Sequence, residues 1–557
     1  MKLLRQWLQL SMEVTMSRLN TKKIVTATSP ITTVGPAVTY EGGTGYVNDA
    51  YGELFRLGVN MFAGEDTFYE SGKSRDKRFT ALVEQIAITD PAWLLSFLRW
   101  LRQEGNIRTA SLMGAAHAVH ARLAAGVEDG SIERGEKGMN RLFISAVPQR
   151  ADEPGELAAY WTEKFGRTIP SAVKRGLADA ANRLFNEYSL LKYDTSSKGW
   201  RFGDVIQMTH PRTFGVDSQS DLYRYAMTRR YGNEADFDLS NLPMIRFNAD
   251  LRAQAASDPS VLLDPSSLKF AGMTWEDALS LAGSKLDKGK LWDALIMGGS
   301  VGHMAMLRNL RNMQEAGVSK ATIAKVQADL CNPEIVARGR QFPFRYWSAY
   351  KNASSTAWAH SLEEALTLSV GNIPLLNGRT DVYVDTSASM DTGMSNKSSI
   401  RRAEAGALFG IATAMRNPDS RLFIFADNVR EVKVERGGSL LRQIEKVNRM
   451  IGAVGHGTNT AESIRTTTSP STKRAVVFTD MQSMGSRSYG GYGYGGNVSD
   501  SVPESTYLYA FDLSGYAQGD IPSGNGRRHQ LAGLTDSAFK MMDLIERSHS
   551  AAWPWEK

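Results

Sequence analysis

The chain has a single cysteine, Cys331, among its 557 residues, so no disulfide can form within it. Secreted proteins of this size more often carry several paired cysteines, and an intracellular, cytoplasmic protein is therefore expected. Long apolar runs are also lacking, since no stretch approaches the ~20 apolar residues of a membrane span. Residues Met1 to Ser17 set Leu3, Leu4, Trp7, Leu8 and Leu10 among polar neighbours. They have neither the apolar core nor the small-residue cleavage site of a signal peptide. Met16 offers an alternative start.

The composition is 42% hydrophobic and 22% charged, within the soluble globular range and against wholesale disorder. The length exceeds what one hydrophobic core sustains, so two or more domains are expected. A net charge of +6 is a modest bias toward anionic partners, but it is unevenly spread. From Tyr160 to Tyr231 there are 12 Lys and Arg against 7 Asp and Glu, and from Val301 to Lys351 there are 8 against 3.

Three segments follow from the patterning. Residues 1–44 are rich in Thr, Ser, Pro and Gly, without sustained apolar periodicity, and read as a flexible arm. Residues 45–372 show repeated amphipathic spacing, as in Leu94, Leu95, Phe97, Leu98 and Leu101. The same spacing recurs in Val173, Leu177, Ala180, Leu184 and Tyr188, and in Met304, Leu307, Leu310 and Met313. So many helices are hard to close around one core, and stacked helical pairs forming a solenoid or ring are the physical expectation. Residues 373–557 alternate strand-like runs with helices, which predicts a mostly parallel, doubly wound α/β sheet. The Asp427-Asn428 pair predicts one antiparallel hairpin at its edge.

Such sheets bind ligands beyond the carboxyl ends of their strands. Asp385, Ser387 and Ser389 sit there, in Asp385-Thr-Ser-Ala-Ser389, and alternate positions of extended chain point the same way. Asp480 ends a second strand, and Thr458 lies in the loop Gly455-His-Gly-Thr-Asn-Thr. Hard oxygen donors of this kind suit Mg²⁺ or Mn²⁺. A Ser-rich turn that merely caps the next helix is the plainer alternative.

The ordered set resembles the von Willebrand factor A domain, whose metal-ion-dependent adhesion site reads Asp-x-Ser-x-Ser, then Thr, then Asp. The resemblance implies that Asp385, Ser387, Ser389, Thr458 and Asp480 hold the ion, some through water. It also implies an open metal position commonly filled by a partner's carboxylate, and a site that is not usually catalytic. A Mg²⁺-dependent nuclease would need a second metal or an activating base, for which His456 is the one nearby histidine. The run Ser488-Tyr-Gly-Gly-Tyr-Gly-Tyr-Gly-Gly496 reads either as a mobile insertion or as a base-stacking loop over the metal face.

In the helical part, a helix opening near Pro170 places Arg175 opposite the apolar stripe and Lys174 on its flank, available to phosphates or simply solvated. A short helix ended by Pro211 leaves His210 and Arg212 at its tip. With Phe165-Gly-Arg167, Tyr51 to Gly58, Thr67 to Tyr69, Ala305 to Met313 and Arg340 to Arg345, these segments are similar to the TROVE module of the Ro 60 kDa autoantigen family. The order of helical module then metal domain is also that of the bacterial-type Ro orthologs. The resemblance implies a monomeric ring of HEAT-like repeats closed by the A domain. It implies no enzyme activity and no membrane, but a scaffold for small noncoding Y-type RNA and for single-stranded ends of misfolded RNA, with an exoribonuclease partner. Lys174, Arg175 and His210, then Arg167 and Arg212, match its RNA-contacting segments. The competing reading is a metal-dependent protein-adhesion scaffold with no RNA role.

Overall fold

A computed structural model of the chain describes residues 28–61, 63–127, 137–232, 234–353, 356–371, 373–396, 398–485, 487–489, 492–494, 496–524, 526–533, 536–547 and 552–556. Met1 to Ser17 lie outside them, as do Gly490, Gly491 and Gly495 of the tyrosine-glycine run.

From Ala50 to Ser369 the described chain is almost wholly helical. Polar caps start the helices: Asp49, Ser71 and Asp90 each accept a hydrogen bond from the backbone N–H three residues on. Neighbouring helices pack pairwise, Gly72–Thr89 against Arg108–Ala124 and Met139–Ala146 against Ser171–Leu184. The module then closes on itself. Arg340 Nη1 donates to Gln103 O at 2.8 Å and Asn106 Nδ2 donates to Arg340 O at 3.2 Å, which ties its first helices to its last. No helix among the described residues is long and apolar enough to cross a membrane.

One expected stripe is cut short. Val173, Leu177 and Ala180 are buried, but the helix ends at Leu184 and Tyr188 is exposed on the next one, Glu187–Tyr193. Asn186 stops the first helix because it caps the second. Its side chain accepts from Ser189 N at 2.8 Å while Ser189 Oγ accepts from Asn186 N at 2.9 Å, a reciprocal box that competes with continued helix.

The C-terminal part holds a six-stranded sheet in the order β11-β9-β6-β3-β4-β5. The strands are β3 (Thr380–Asp385), β4 (Ser420–Phe425), β5 (Val429–Val432), β6 (Arg474–Thr479), β9 (Tyr507–Asp512) and β11 (Arg528–Ala532). All pairs are parallel except β4 with β5, the antiparallel hairpin turned at Asp427-Asn428. β3 and β6 are buried along their whole length, as expected of strands covered on both faces. Helix Arg402–Arg416 packs across β3, β4 and β6.

The segment expected as a flexible arm up to residue 44 is different where it is described. β1 (Thr33–Val38) and β2 (Thr44–Asn48) form an antiparallel hairpin, and β2 pairs with β10 (Gln518–Gly519) of the C-terminal part. Pro36 and Gly35 hid this strand in the sequence; Pro36 is tolerated because β1 is an edge. The tyrosine-glycine run also forms a small hairpin, β7 (Arg487–Tyr489) with β8 (Tyr492–Tyr494).

Three further joints lock the two parts together. Arg56 pairs with Asp512 at 2.7 Å, both side chains buried. Glu363 caps helix Leu440–Asn448, its Oε1 accepting from Leu440 N at 2.5 Å. Trp553 and Trp555 stack on each other and against Phe55, Trp93, Phe97 and Trp100.

His529 on β11 is fully buried, with Nε2 3.0 Å from Gly526 O. Burial lowers its pKa to about 4. The unfolded chain takes up this proton near pH ~6.5, so the contribution is present above that pH and is lost as pH falls through the folded value. Wild type should lose roughly 3 kcal/mol more stability than His529→Gln between about pH 6.5 and the folded value of about 4. Paired urea titrations across that range measure it, and parallel pH profiles would refute it.

Candidate metal centre and basic face

Chain direction positions the candidate metal centre. From β3 the chain moves to β4 on one side and later returns to β6 on the other, so the order reverses beside β3, where such sheets open a crevice. The register of β3 against β6, Val384 opposite Phe478, brings Asp385 level with Thr479 and next to Asp480. Asp385 Oδ2 accepts from Thr479 Oγ1 at 2.6 Å and Oδ1 from Ser387 N at 2.9 Å. Ser387 Oγ and Ser389 Oγ lie 3.3 Å apart, and Ser389 lies close enough to Asp480 to lower its pKa.

The loop carrying Thr458 is drawn in by backbone. Ala388 N donates to His456 O at 2.9 Å, and Met484 N to Thr458 O at 2.9 Å. Asp427 holds the loop from behind, accepting from His456 N at 2.8 Å and Gly457 N at 3.1 Å. A side chain at Gly455, which has φ +104°, or at Gly457 would collide with that carboxylate.

Asp385, Ser387, Ser389, Thr458 and Asp480 are all buried, 0 to 3% exposed. Two buried carboxylates at neighbouring strand ends need a compensating positive charge or must retain a proton. Burial, and then the charge of Asp385, raises Asp480 to about 8; burial likewise raises Asp385. Neither carboxylate has an ion pair among the described residues, and Asp480 Oδ2 is buried without a hydrogen-bond partner. Met481, directly after Asp480, holds a left-handed φ of +60°, which costs about 1–3 kcal/mol at a non-glycine residue. An orphaned carboxylate oxygen near the Ser387 and Ser389 hydroxyls fits a hard divalent cation. Among the described residues no group of three or more His, Cys, Asp and Glu gathers as a site, so softer, nitrogen- or sulfur-rich coordination has no donors here. His456 is exposed while the five oxygen donors are buried.

Several neighbours were not read from the sequence. Asp512 ends β9 as Asp480 follows β6, and that strand-end position was a usable signal. Asp520, raised to about 7 by burial, has both carboxyl oxygens without a partner. Glu41 and Tyr69 approach from other segments; Thr67 to Tyr69 stood out in the sequence only as part of the helical module, and nothing local marks either residue as a neighbour of Asp480.

The basic residues occupy the helical module. Lys174 and Arg175 are exposed in the first turn of Ser171–Leu184, with Arg167 exposed in the preceding loop. His210 caps Phe202–Thr209 in the left-handed region (φ +47°), exposed like Arg212 beyond it. Phe185 stacks on Phe202 at 3.8 Å, joining the two helices. Three acids of the same stretch are engaged internally: Asp179 by Arg141 at 2.7 Å, Asp194 by Arg201 at 2.6 Å and Asp204 by Arg230 at 2.9 Å. Among the described residues, Arg167, Lys174, Arg175 and Arg212 have no ion pair, so their charge faces solvent. No side-chain contact joins them to one another. Where the helical module closes, a cleft of about 870 Å³ combines Arg99, Arg340 and Lys540 with Trp100, Trp553 and Trp555.

Comparison with known proteins gives three likenesses. Residues 266–403 match the TROVE domain, a span that covers the later helices and the first metal motif. A stretch of 77 residues is 42% identical to telomerase protein component 1 of Mus musculus, covering 14% of this chain and 3% of that protein. The Rattus norvegicus protein is 40% identical over the same length, again 14% and 3%. The chain thus spans a small fraction of these curated relatives. In three dimensions it is similar to the crystal structure of the Deinococcus radiodurans Ro (RSR) protein, with a TM-score of 0.56 and 17% identity over 89% of this chain and 99% of that one. The fold is therefore a helical-repeat ring joined to an A-type α/β domain.

Proposed function

Since the chain carries a TROVE domain and shares its fold with a Ro protein, we propose that it is an RNA-binding ring protein. It binds small noncoding Y-type RNA and the single-stranded ends of misfolded RNA, as a cytoplasmic scaffold in RNA stability and quality control. It acts as a monomer and without catalysis of its own, and an exoribonuclease is the partner class. The observation that carries the reading is the set of exposed, unpaired cations on and beside two adjoining helices, whose own acids Asp179 and Asp204 are engaged elsewhere. That arrangement suits neutralisation of a phosphate backbone and recognition of its shape. The cleft lined by Arg99, Arg340 and Lys540 beside the tryptophan cluster presents cations to the phosphates of a single strand.

In the second part, Asp385, Ser387, Ser389, Thr458 and Asp480 hold Mg²⁺ or Mn²⁺, which supplies the positive charge the buried carboxylates lack. The ion serves structure or contact.

Crosslinking in the native cells followed by sequencing of bound RNA tests the reading directly; no enriched structured small RNA would overturn it. On that RNA, Lys174→Ala with Arg175→Ala should lower affinity by about tenfold or more and make the log–log salt slope shallower by about 1–2. The circular dichroism spectrum should stay unchanged. Equal affinity and slope would remove both residues from the interface.

A further inference from the structure

The turn between β1 and β2 is fastened to the face where the metal motif opens. Thr39 Oγ1 donates to Ser483 O at 2.7 Å, Tyr40 N to Gln482 Oε1 at 2.9 Å, and Gly485 N to Glu41 O at 3.1 Å. Gly42 bridges Met484 in the same antiparallel manner. The backbones meet so closely that a Cβ on Gly43 or Gly485 would collide with the opposing chain. Residues 482–485 directly follow Asp480. The hairpin turn is thus held beside the proposed ligands by the loop that carries one of them.

That turn brings a carboxylate. Glu41 is half-buried and has no ion pair among the described residues. Its Oε1 accepts a hydrogen bond of 2.6 Å from Tyr69 Oη. The same phenol lies close enough to Ser389 and Asp480 for both to act on its proton. It therefore links Glu41 to the motif. Its ring is fixed, stacked on Tyr40 at 5.0 Å and 8° and edge-on to Tyr516 at 5.6 Å, while Tyr69 N donates to Tyr516 Oη at 3.3 Å. Three segments distant in sequence, the hairpin, the entry to the helical module and the A-type domain, meet at this point.

We propose that Glu41 serves the open coordination position of the metal from within the chain, with Tyr69 positioning it, so that the cation ties the N-terminal hairpin to the A-type domain. This rests on the metal reading above. Asp385 and Asp480 supply two negative charges, and a third carboxylate raises the affinity of an oxygen site for a divalent ion. The tethered ligand needs no partner protein to complete the shell. An acidic segment from another protein would have to displace Glu41 first.

The test is Mn²⁺ titration of the full chain, followed by electron paramagnetic resonance and by water-proton relaxation, which reports exchangeable waters on the ion. Glu41→Gln keeps the size and hydrogen-bonding capacity of the side chain. It should weaken Mn²⁺ binding about tenfold or more, increase the relaxation enhancement per bound ion, and abolish most of the Mn²⁺-induced rise in Tm. Tyr69→Phe should give a smaller loss in the same direction. Wild-type binding with unchanged affinity and relaxation in Glu41→Gln would overturn the proposal alone. Absence of Mn²⁺ binding in the wild type would overturn it together with the metal reading. A Glu41→Gln chain with lower metal-free Tm but unchanged Mn²⁺ affinity would show Glu41 to be a packing residue and would also overturn it.

Discussion

Arg56→Met should lower the unfolding free energy by roughly 3–5 kcal/mol, because it leaves Asp512 buried without its cation. Arg56 lies on helix Ala50–Val59 and reaches the end of β9, with Nε 2.9 Å and Nη2 2.7 Å from Asp512 Oδ2. Nη2 also donates to Tyr516 O at 3.2 Å. Neither side chain reaches solvent, so screening does not weaken the pair. Asp512 Oδ1 retains bonds from Ser514 N at 2.9 Å and Gly515 N at 2.8 Å, which places the effect toward the lower end of that range. The double variant Arg56→Met with Asp512→Asn should recover much of the loss, since the stranded charge is gone while the backbone bonds remain. Urea denaturation of the wild type and the two variants separates these contributions. A double variant no more stable than Arg56→Met would mean that packing, not charge, holds the joint.

Asp385→Ala should abolish Mn²⁺ binding, a loss exceeding about 100-fold, since it removes a ligand and not merely one of the groups that orient ligands. The wild type should bind one equivalent and lose thermal stability on chelation. The variant should show neither effect. It should also gain metal-free stability, because Asp480 no longer faces a second buried carboxylate. Saturable Mn²⁺ binding of undiminished strength in Asp385→Ala would sink the assignment of this crevice as the site.

The convergence of the residues proposed to hold the metal was legible because its parts are local and periodic. Asp385, Ser387 and Ser389 alternate in extended chain, and Asp480 follows a strand whose apolar run is plain in the sequence. A parallel sheet then aligns strand ends, so residues 95 apart converge without any further instruction. The cations were legible as a charge bias, but their availability was not. Arg201 and Arg230 belong to the same stretch as Arg175, yet they are paired with Asp194 and Asp204, and only packing distinguishes the two sets. Tyr188 shows the same limit from another side. Its spacing continues the apolar stripe, but the cap formed by Asn186 with Ser189 ends the helix first.

The sequence by itself determined the two-part architecture, the parallel sheet and the oxygen-rich crevice, because helix period, strand alternation and strand-end chemistry are written within a few residues of each other. Tertiary structure decided what those parts meet. β1 and β2 carry Gly35, Pro36 and Thr44 and look like loop until β10, some 470 residues later, supplies the missing strand. Arg340 closes the helical module, Arg56 finds Asp512, and Glu41 reaches Tyr69 only through contacts distant in sequence. A buried charge or an edge strand has no local signature. Its stability comes from a partner whose position the whole fold sets.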